Sequence, residues 1–425
     1  MKIGLRTILA SVLMAILALV GCKNKNPAAL PVISLNTYTA TATGTATMSG
    51  TITPTFSVTM TFSVTETHTV SPTLTVTPTI TNTPIVWKPV GYAAISPGRA
   101  NYTSMDLYGG FPYIAFSDNS VSGKASLMRY DGSSWEYVGG AGFSSGEAQW
   151  VELDVDDVTG VPCVAFRDDS TIDWKLTVMR YINNAWETVG TPRFSAGRVE
   201  HMSIKSINNI IYISYVDAGY GYSVCIRVYS GGSWYLVGPT YLAATTNSFY
   251  TSLQISDGVA YVAYSNGEDD YKVSVSKFNG SSWGLVGSKG FSGGNGKYVR
   301  MFMYDSMPYV IYRDEANYGK ATVMKYTGSG TTGWESVGVP GFTSAVVEFT
   351  DIFVYGGTIY TAFADGVYGG RTSVMKYAGG WEYVGNPGFA GVGARYVRLY
   401  VDAGILYTGY GDGSGSYFAR CMKYY

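Results

Sequence analysis

Seven tryptophans, Trp87, Trp135, Trp186, Trp234, Trp283, Trp334 and Trp381, recur at spacings of 48, 51, 48, 49, 51 and 47 residues, each opening a Trp-x-x-Val-Gly segment. A self-similar unit of about 40 to 50 residues cannot bury both faces of its own sheet, so it must stack against copies of itself. Between the tryptophans lie short alternating runs rich in Val, Ile, Tyr and Phe. They are cut by pairs such as Asp131-Gly132 and Asn279-Gly280, which supply the positive φ values of tight hairpins. In the second unit four strands can be placed, at 150–155, 161–167, 176–181 and 186–190. Seven units of four strands predict an all-β chain, a seven-bladed β-propeller of four-stranded blades.

The end of the chain decides how the ring closes. The last repeat stops after its third strand, Arg420 to Tyr424, and lacks a Trp strand, while Trp87-Lys88-Pro89-Val90-Gly91 stands alone before the first complete repeat. The N-terminal strand 86–91 is therefore expected to complete the last blade, joining the termini and removing two open sheet edges. The seven third-strand endings, Tyr130, Tyr181, Tyr229, Phe278, Tyr326, Tyr377 and Tyr424, agree with seven blades. The Tyr-x-Gly-x-x-Trp hairpin resembles kelch repeats in its Tyr and Trp spacing and, more loosely, the Asp-box hairpin of sialidases. The kelch Gly-Gly pair is missing at its usual place, and Asp131 to Trp135 is one residue short for an Asp box. The resemblance covers the whole repeat region, supports the fold and implies no activity.

Residues 1–21 read as an export signal: Lys2 and Arg6 precede an apolar stretch from Ile8 to Val20 that is too short to span a membrane. Its ending, Leu19-Val20-Gly21-Cys22, resembles the bacterial lipobox. That resemblance implies diacylglyceryl transfer to Cys22, cleavage before it, and a protein held to the membrane by lipid. Lys23 stands where the inner-membrane retention signal would be Asp, which implies the outer membrane or cell surface of a bacterium. From Thr37 to Thr83 every odd-numbered position is Thr or Ser. The run is far too long for a strand and contains Pro54, Pro72, Pro78 and Pro84, so residues 22–85 are expected to form an unstructured, Thr/Ser/Pro-rich stalk carrying the lipidated Cys22. Residues 86–425 form the head, expected to be monomeric.

With 53 Gly, 37 Tyr and 14% charged residues the composition suits hairpins rather than helices. A net charge of −1 without any basic block excludes a nucleic-acid partner, whose phosphates require clustered Lys and Arg. The remaining cysteines, Cys163, Cys225 and Cys421, fall at unrelated repeat positions and read as buried apolar thiols.

Two sets of residues converge on one face of the disc. The first is an aromatic ring, Tyr102, Trp150, His201, Tyr250, Tyr298, Phe349 and Tyr396; the second is the acid ending each second strand, Asp118, Asp168, Asp217, Asp314, Asp365 and Asp412, with Asn266 in the fourth blade. A sevenfold acid is explained by sevenfold geometry, so the Asp set is expected to satisfy loop backbone or pair with Lys124, Lys175, Lys320 and Arg371. Single carboxylates on separate blades lack the dense oxygen shell of a Ca²⁺ site, so no metal and no cofactor is expected. The inner-strand positions that follow the aromatics differ from blade to blade and lie near the axis: Ser104 and Asp106, Glu152 and Asp154, Ser203 and Lys205, Ser252 and Gln254, Arg300 and Phe302, Asp351 and Phe353, Arg398 and Tyr400.

Arg300, Asp351 and Arg398, from consecutive blades, form either an anion pocket beside Tyr298, Tyr396 and Tyr400 or an inter-blade ion network. Glu152 with Asp154 is the nearest candidate for paired acid–base work, and no catalytic residue is assigned. The candidate ligand-binding set is Tyr102, Asp106, Trp150, Glu152, Asp154, Tyr298, Arg300, Asp351, Tyr396, Arg398 and Tyr400. The equipment suits a head that binds glycans, peptides or partner proteins. The alternatives are a polysaccharide lyase or hydrolase using Tyr, Arg and carboxylates, and an envelope-assembly scaffold.

Overall fold

The computed structural model describes residues 85–239, 241–242, 247–413, 415 and 417–425. The export signal, Cys22 and the stalk lie outside the described residues, apart from Ile85. Among the described residues twenty-eight strands build seven four-stranded antiparallel sheets. The first six blades are continuous in sequence, with inner strands at Ala100–Tyr108, Ala148–Val155, Val199–Ile207, Phe249–Ser256, Gly296–Tyr304 and Val347–Tyr355. The seventh combines Arg395–Asp402, Ile405–Gly411 and Ala419–Tyr424 with the N-terminal strand Trp87–Pro89. The pairing Trp87↔Tyr424, Lys88↔Lys423 and Pro89↔Met422 closes the ring as its sequence predicts.

The Trp-x-x-Val-Gly segment is an inter-blade joint. Every indole donates its Nε1–H to the Val carbonyl of the preceding blade: Trp135 to Val90, Trp186 to Val138, Trp234 to Val189, Trp283 to Val237, Trp334 to Val286, Trp381 to Val337 and, across the closure, Trp87 to Val384, at 2.7 to 3.0 Å. Five of these indoles also stack flat on a Phe, as Trp186 does on Phe143 at 3.7 Å and Trp87 on Phe389 at 4.2 Å. The Gly after each Val is required twice over. Gly139 has φ +73°, and a Cβ there would sit 2.5 Å from the Tyr181 ring and 2.8 Å from Trp186. Packing between neighbouring sheets divides the interior into seven apolar clusters, one per blade junction.

Strand boundaries follow the sequence reading to within two residues. The second blade has strands at Ala148–Val155, Pro162–Asp168, Lys175–Ile182 and Ala185–Thr188. Five of the loops from second to third strand contain a single 3-10 turn, and the strand-ending acid caps it: Asp118, Asp217, Asp314 and Asp365, with Asn266 doing the same, accept the backbone N–H two residues on. Their remaining oxygen capacity goes to hydroxyls and loop backbone, for example Ser126 and Tyr137 on Asp118, Thr322 on Asp314, and the Ala196 and Gly197 amides on Asp217. The Asp set is scaffold. Cys163, Cys225 and Cys421 are free and buried, and burial pushes the Cys163 thiol up to about 12.

Candidate functional site

All seven inner strands carry the same irregularity near their start. Two residues of the inner strand face one of its partner between Asn101 and Ser104, Gln149 and Glu152, Glu200 and Ser203, Phe249 and Ser252, Lys297 and Arg300, Glu348 and Asp351, and Arg395 and Arg398. A bulge of this kind usually places glycine at its first, left-handed position. Here that position holds Tyr102, Trp150, His201, Tyr250, Tyr298, Phe349 and Tyr396, with φ between 49° and 55°. Left-handed backbone costs an L-residue about 1–2 kcal/mol, and it persists where surrounding structure and function require it.

The bulge turns each ring toward the axis, and the seven close on one another. Centroid separations run Tyr102–Trp150 6.0 Å, Trp150–His201 4.6 Å, His201–Tyr250 4.6 Å, Tyr250–Tyr298 5.2 Å, Tyr298–Phe349 4.9 Å, Phe349–Tyr396 5.1 Å and Tyr396–Tyr102 5.3 Å. This ring surrounds a cavity of about 240 Å³ on the disc face where the inner strands begin, called the upper face below.

The cavity floor is the next inward-facing layer, two residues further along each strand because side chains alternate with period two. Glu152 holds two guanidiniums from across the axis, Arg398 Nη2 at 2.6 Å and Arg300 Nη2 at 3.2 Å, both on Oε1; Ser104 Oγ lies 3.4 Å from Oε2. Burial raises the Glu152 carboxyl, but the Arg398 and Arg300 charges outweigh it and hold the group below its ordinary 4.5. The network of Arg300, Asp351 and Arg398 read from the sequence is redrawn here. Asp351 directs its carboxylate to the backbone amides of Leu399 at 2.8 Å and Ile352 at 3.0 Å, and Glu152, three blades from Arg300, bridges the guanidiniums. Ser104, Ser203 and Ser252 use the same slot as Asp351, each accepting an amide from the next blade, Leu153, Leu253 and Met301, at 3.0 to 3.1 Å.

A third layer lies deeper. Asp154 pairs with Lys205 Nζ at 2.5 Å and accepts the Ser206 amide, Asp106 accepts the Val155 and Leu107 amides, and Phe302, Phe353 and Tyr400 pack in sequence at 4.3 and 5.9 Å. Glu152 and Asp154 lie in separate layers, Glu152 on the two guanidiniums and Asp154 on Lys205, and burial holds the Asp154 carboxyl well above its usual range. Tyr400 belongs to this layer and shares a small cavity with Arg300 and Arg398 of the layer above. The candidate residues chosen from sequence therefore occupy three stacked tiers along one axis: Tyr102, Trp150, Tyr298 and Tyr396 at the mouth, Glu152, Arg300, Asp351 and Arg398 at the floor, and Asp106, Asp154 and Tyr400 beneath.

Burial governs ionisation at two members of the ring. Burial, with Arg300 next in weight, pulls His201 down to about 3, and the Tyr298 hydroxyl is pushed up to about 12 chiefly by burial. At neutral pH His201 and Tyr298 are uncharged. Because the unfolded histidine binds its proton near 6.5, this site favours the folded state fully above pH 6.5, and stability falls as pH drops from 6.5 toward 3. The variant His201→Phe, which copies the sixth blade, is expected to flatten that slope, seen as a smaller loss of thermal midpoint between pH 7 and pH 4.5 than the parent shows.

One group of residues escapes the sequence reading. Just before the third strand three blades have Gly123, Gly319 and Gly370 at positive φ, and the other four place Trp174, Tyr222, Tyr271 and, two residues ahead of Ala419, Tyr417 in the same left-handed conformation. These lie on the upper face outside the ring, with guanidiniums stacked on three of them, including Arg99 on Tyr417 at 4.1 Å and Arg167 on Trp174 at 5.0 Å. Aligning the repeats on the acid or Asn that ends the second strand, five or six residues earlier, would have exposed the substitution. Among the described residues no three His, Cys, Asp or Glu side chains gather as a metal site.

No protein-family model matches the chain, and no curated protein matches it. Among solved structures it is similar to the fucose-specific lectin from Aleuria aurantia, at 15% identity over 68% of this chain and 97% of the lectin, TM-score 0.44. It is similar to the SapL1 lectin in complex with alpha methyl fucoside, at 12% identity over 69% and 97%, TM-score 0.47, and to the polysaccharide lyase Uly1, at 11% over 78% and 90%, TM-score 0.47.

Proposed function

We propose that the propeller is a carbohydrate-binding head that takes the terminal residue of a glycan into the aromatic-walled pit on its axis. The observation that carries this reading is the ring itself: seven aromatics, all held in left-handed backbone where glycine would be unstrained, enclosing one cavity. A pyranose has apolar C–H faces and a hydroxyl edge. The ring offers flat apolar walls for the first, and the floor offers the guanidinium N–H groups of Arg300 and Arg398 and the Glu152 carboxylate for the second. At about 240 Å³ the cavity falls below the ~300–1,000 Å³ of drug-sized sites, so it suits one sugar ring. Because the wall is closed all round, a polymer cannot cross it, and recognition is of chain ends.

The same groups argue against proton-transfer chemistry on polysaccharide. A lyase or hydrolase needs a base or acid poised near its working pH, whereas in the pit the Tyr250, Tyr298 and Tyr396 hydroxyls are pushed up, His201 is pulled down and Glu152 is ion-paired and held below its ordinary value; Asp154, which burial raises, lies in the tier beneath and is engaged by Lys205. Export, lipidation at Cys22 and display on the outer membrane or cell surface of a bacterium belong to the same proposal, with the Thr/Ser/Pro stretch as spacer.

The test is a glycan array probed with the parent and with Tyr298→Ala. Binding to glycans that share a terminal residue, weakened about tenfold or more by the substitution, is the expected result. Binding to internal segments regardless of the terminus, or capture of peptides only, would remove the reading.

A further inference from the structure

The axial channel has a second mouth on the opposite face, where the hairpins between first and second strands gather. It opens into a cavity of about 740 Å³ that is separated from the upper pit by the Glu152, Arg300 and Arg398 layer. Its walls are two-sided. The fifth, sixth and seventh blades contribute Phe302, Phe353 and Tyr400, and the first, third and fourth contribute Asp106, Lys205 and Gln254.

The charges on the polar side do not balance within the protein. Lys205 is engaged by Asp154 at 2.5 Å. Asp106 is 5% exposed, and its partners are two backbone amides, Val155 on one oxygen at 2.6 Å and Leu107 on the other at 2.7 Å. A carboxylate offers about four acceptor positions, and a buried one is ordinarily matched by a cation. Further carboxylates, Asp157 and Asp402, stand exposed at the rim of the same cavity and add negative potential without adding a partner. Burial holds the Asp106 carboxyl above its usual range, and the charge of Lys205, which is shared with Asp154, only partly offsets it.

We propose that this lower cavity is a second binding site, for an alkylammonium ion, with Asp106 as counter-charge and Phe302, Phe353 and Tyr400 as the cation–π wall. An ammonium group is attracted to an aromatic face most strongly where both are withdrawn from water, and carboxylate on one side with rings on the other is the arrangement that holds it. A bare metal ion is a poor fit, since half the wall has no oxygen to offer. An anion meets three carboxylates. The inference does not depend on what fills the upper pit.

The experiment is calorimetric titration of the full chain with tetramethylammonium and with n-butylammonium, each against its neutral isostere, tert-butyl alcohol and 1-butanol. At least one ammonium should bind saturably and at least about tenfold more tightly than its isostere. Which of the two binds better tells a quaternary headgroup from a primary amine. Asp106→Asn, which keeps the size and one acceptor, should weaken that binding about tenfold or more. Phe353→Leu, which leaves the charged side intact, should weaken it several-fold and keeps the test decisive if the first variant fails to fold. Equal binding of ammonium and isostere, no saturation with either ammonium, or unchanged affinity in whichever of the two variants folds would overturn the proposal.

Discussion

Replacing Trp87 with alanine is expected to cost about 3–5 kcal/mol of stability, the usual range for deleting a buried tryptophan. Trp87 is 8% exposed, stacks on Phe389 at 4.2 Å, packs against Tyr424 at 5.3 Å and donates to Val384 O at 2.8 Å. Trp234 makes the equivalent contacts, with Phe194 at 4.5 Å and Val189 O at 2.8 Å, within a blade that is continuous in sequence. Trp87 alone sits on the short terminal strand Trp87–Pro89, paired over three residues with Ala419–Tyr424. Its loss therefore frees the strand as well as the indole and leaves open edges on the seventh blade. Chemical denaturation should show Trp87→Ala less stable than Trp234→Ala. Equal losses would mean that the closure adds nothing beyond the joint common to all blades.

The second large effect is at the pit floor. Glu152→Ala leaves Arg398, itself 8% exposed, and Arg300 facing each other without their shared carboxylate, and removing one partner of a buried ion pair costs about 3–5 kcal/mol. The loss should be non-additive: with Arg300 and Arg398 already replaced by Met, Glu152→Ala should cost much less, because no buried cation is then orphaned. A double-mutant cycle read by urea midpoints measures the difference. The sign of the pH dependence follows from the same contact. Glu152 is held below 4.5 in the folded protein, so the stability it contributes is full above that value and is lost as pH falls through the lower, folded value. Parent and Glu152→Ala midpoints should converge on acidification.

Much of the ring was legible because sevenfold repetition makes small signals add. Trp87 and the missing fourth strand after Tyr424 specify closure, and an aromatic or His seven residues after Phe143, Phe194, Phe291, Phe342 and Phe389 marks five of the seven members of the tier, Tyr102 and Tyr250 following longer loops. The partner choices were not legible. Glu152 lies in the second blade and its cations in the fifth and seventh, and only a closed ring brings residues 148 and 246 positions apart to one point. Sequence neighbours suggested Asp351 instead, yet that carboxylate takes a backbone role shared with Ser104, Ser203 and Ser252. The strain was hidden too. Nothing in the composition of strands that begin Ala100-Asn101-Tyr102 or Gly296-Lys297-Tyr298 announces a left-handed aromatic, because the bulge is set by pairing with the second strand.

The central claim is that the aromatic pit is a binding site for the end of a glycan. A crystal structure of the full chain soaked with the tightest array ligand tests it most directly. The account predicts density for one terminal sugar inside the ring of Tyr102, Trp150, His201, Tyr250, Tyr298, Phe349 and Tyr396, with hydroxyls within about 3 Å of Glu152 or Arg300. A ligand bound elsewhere on the disc, with the ring empty, would contradict it.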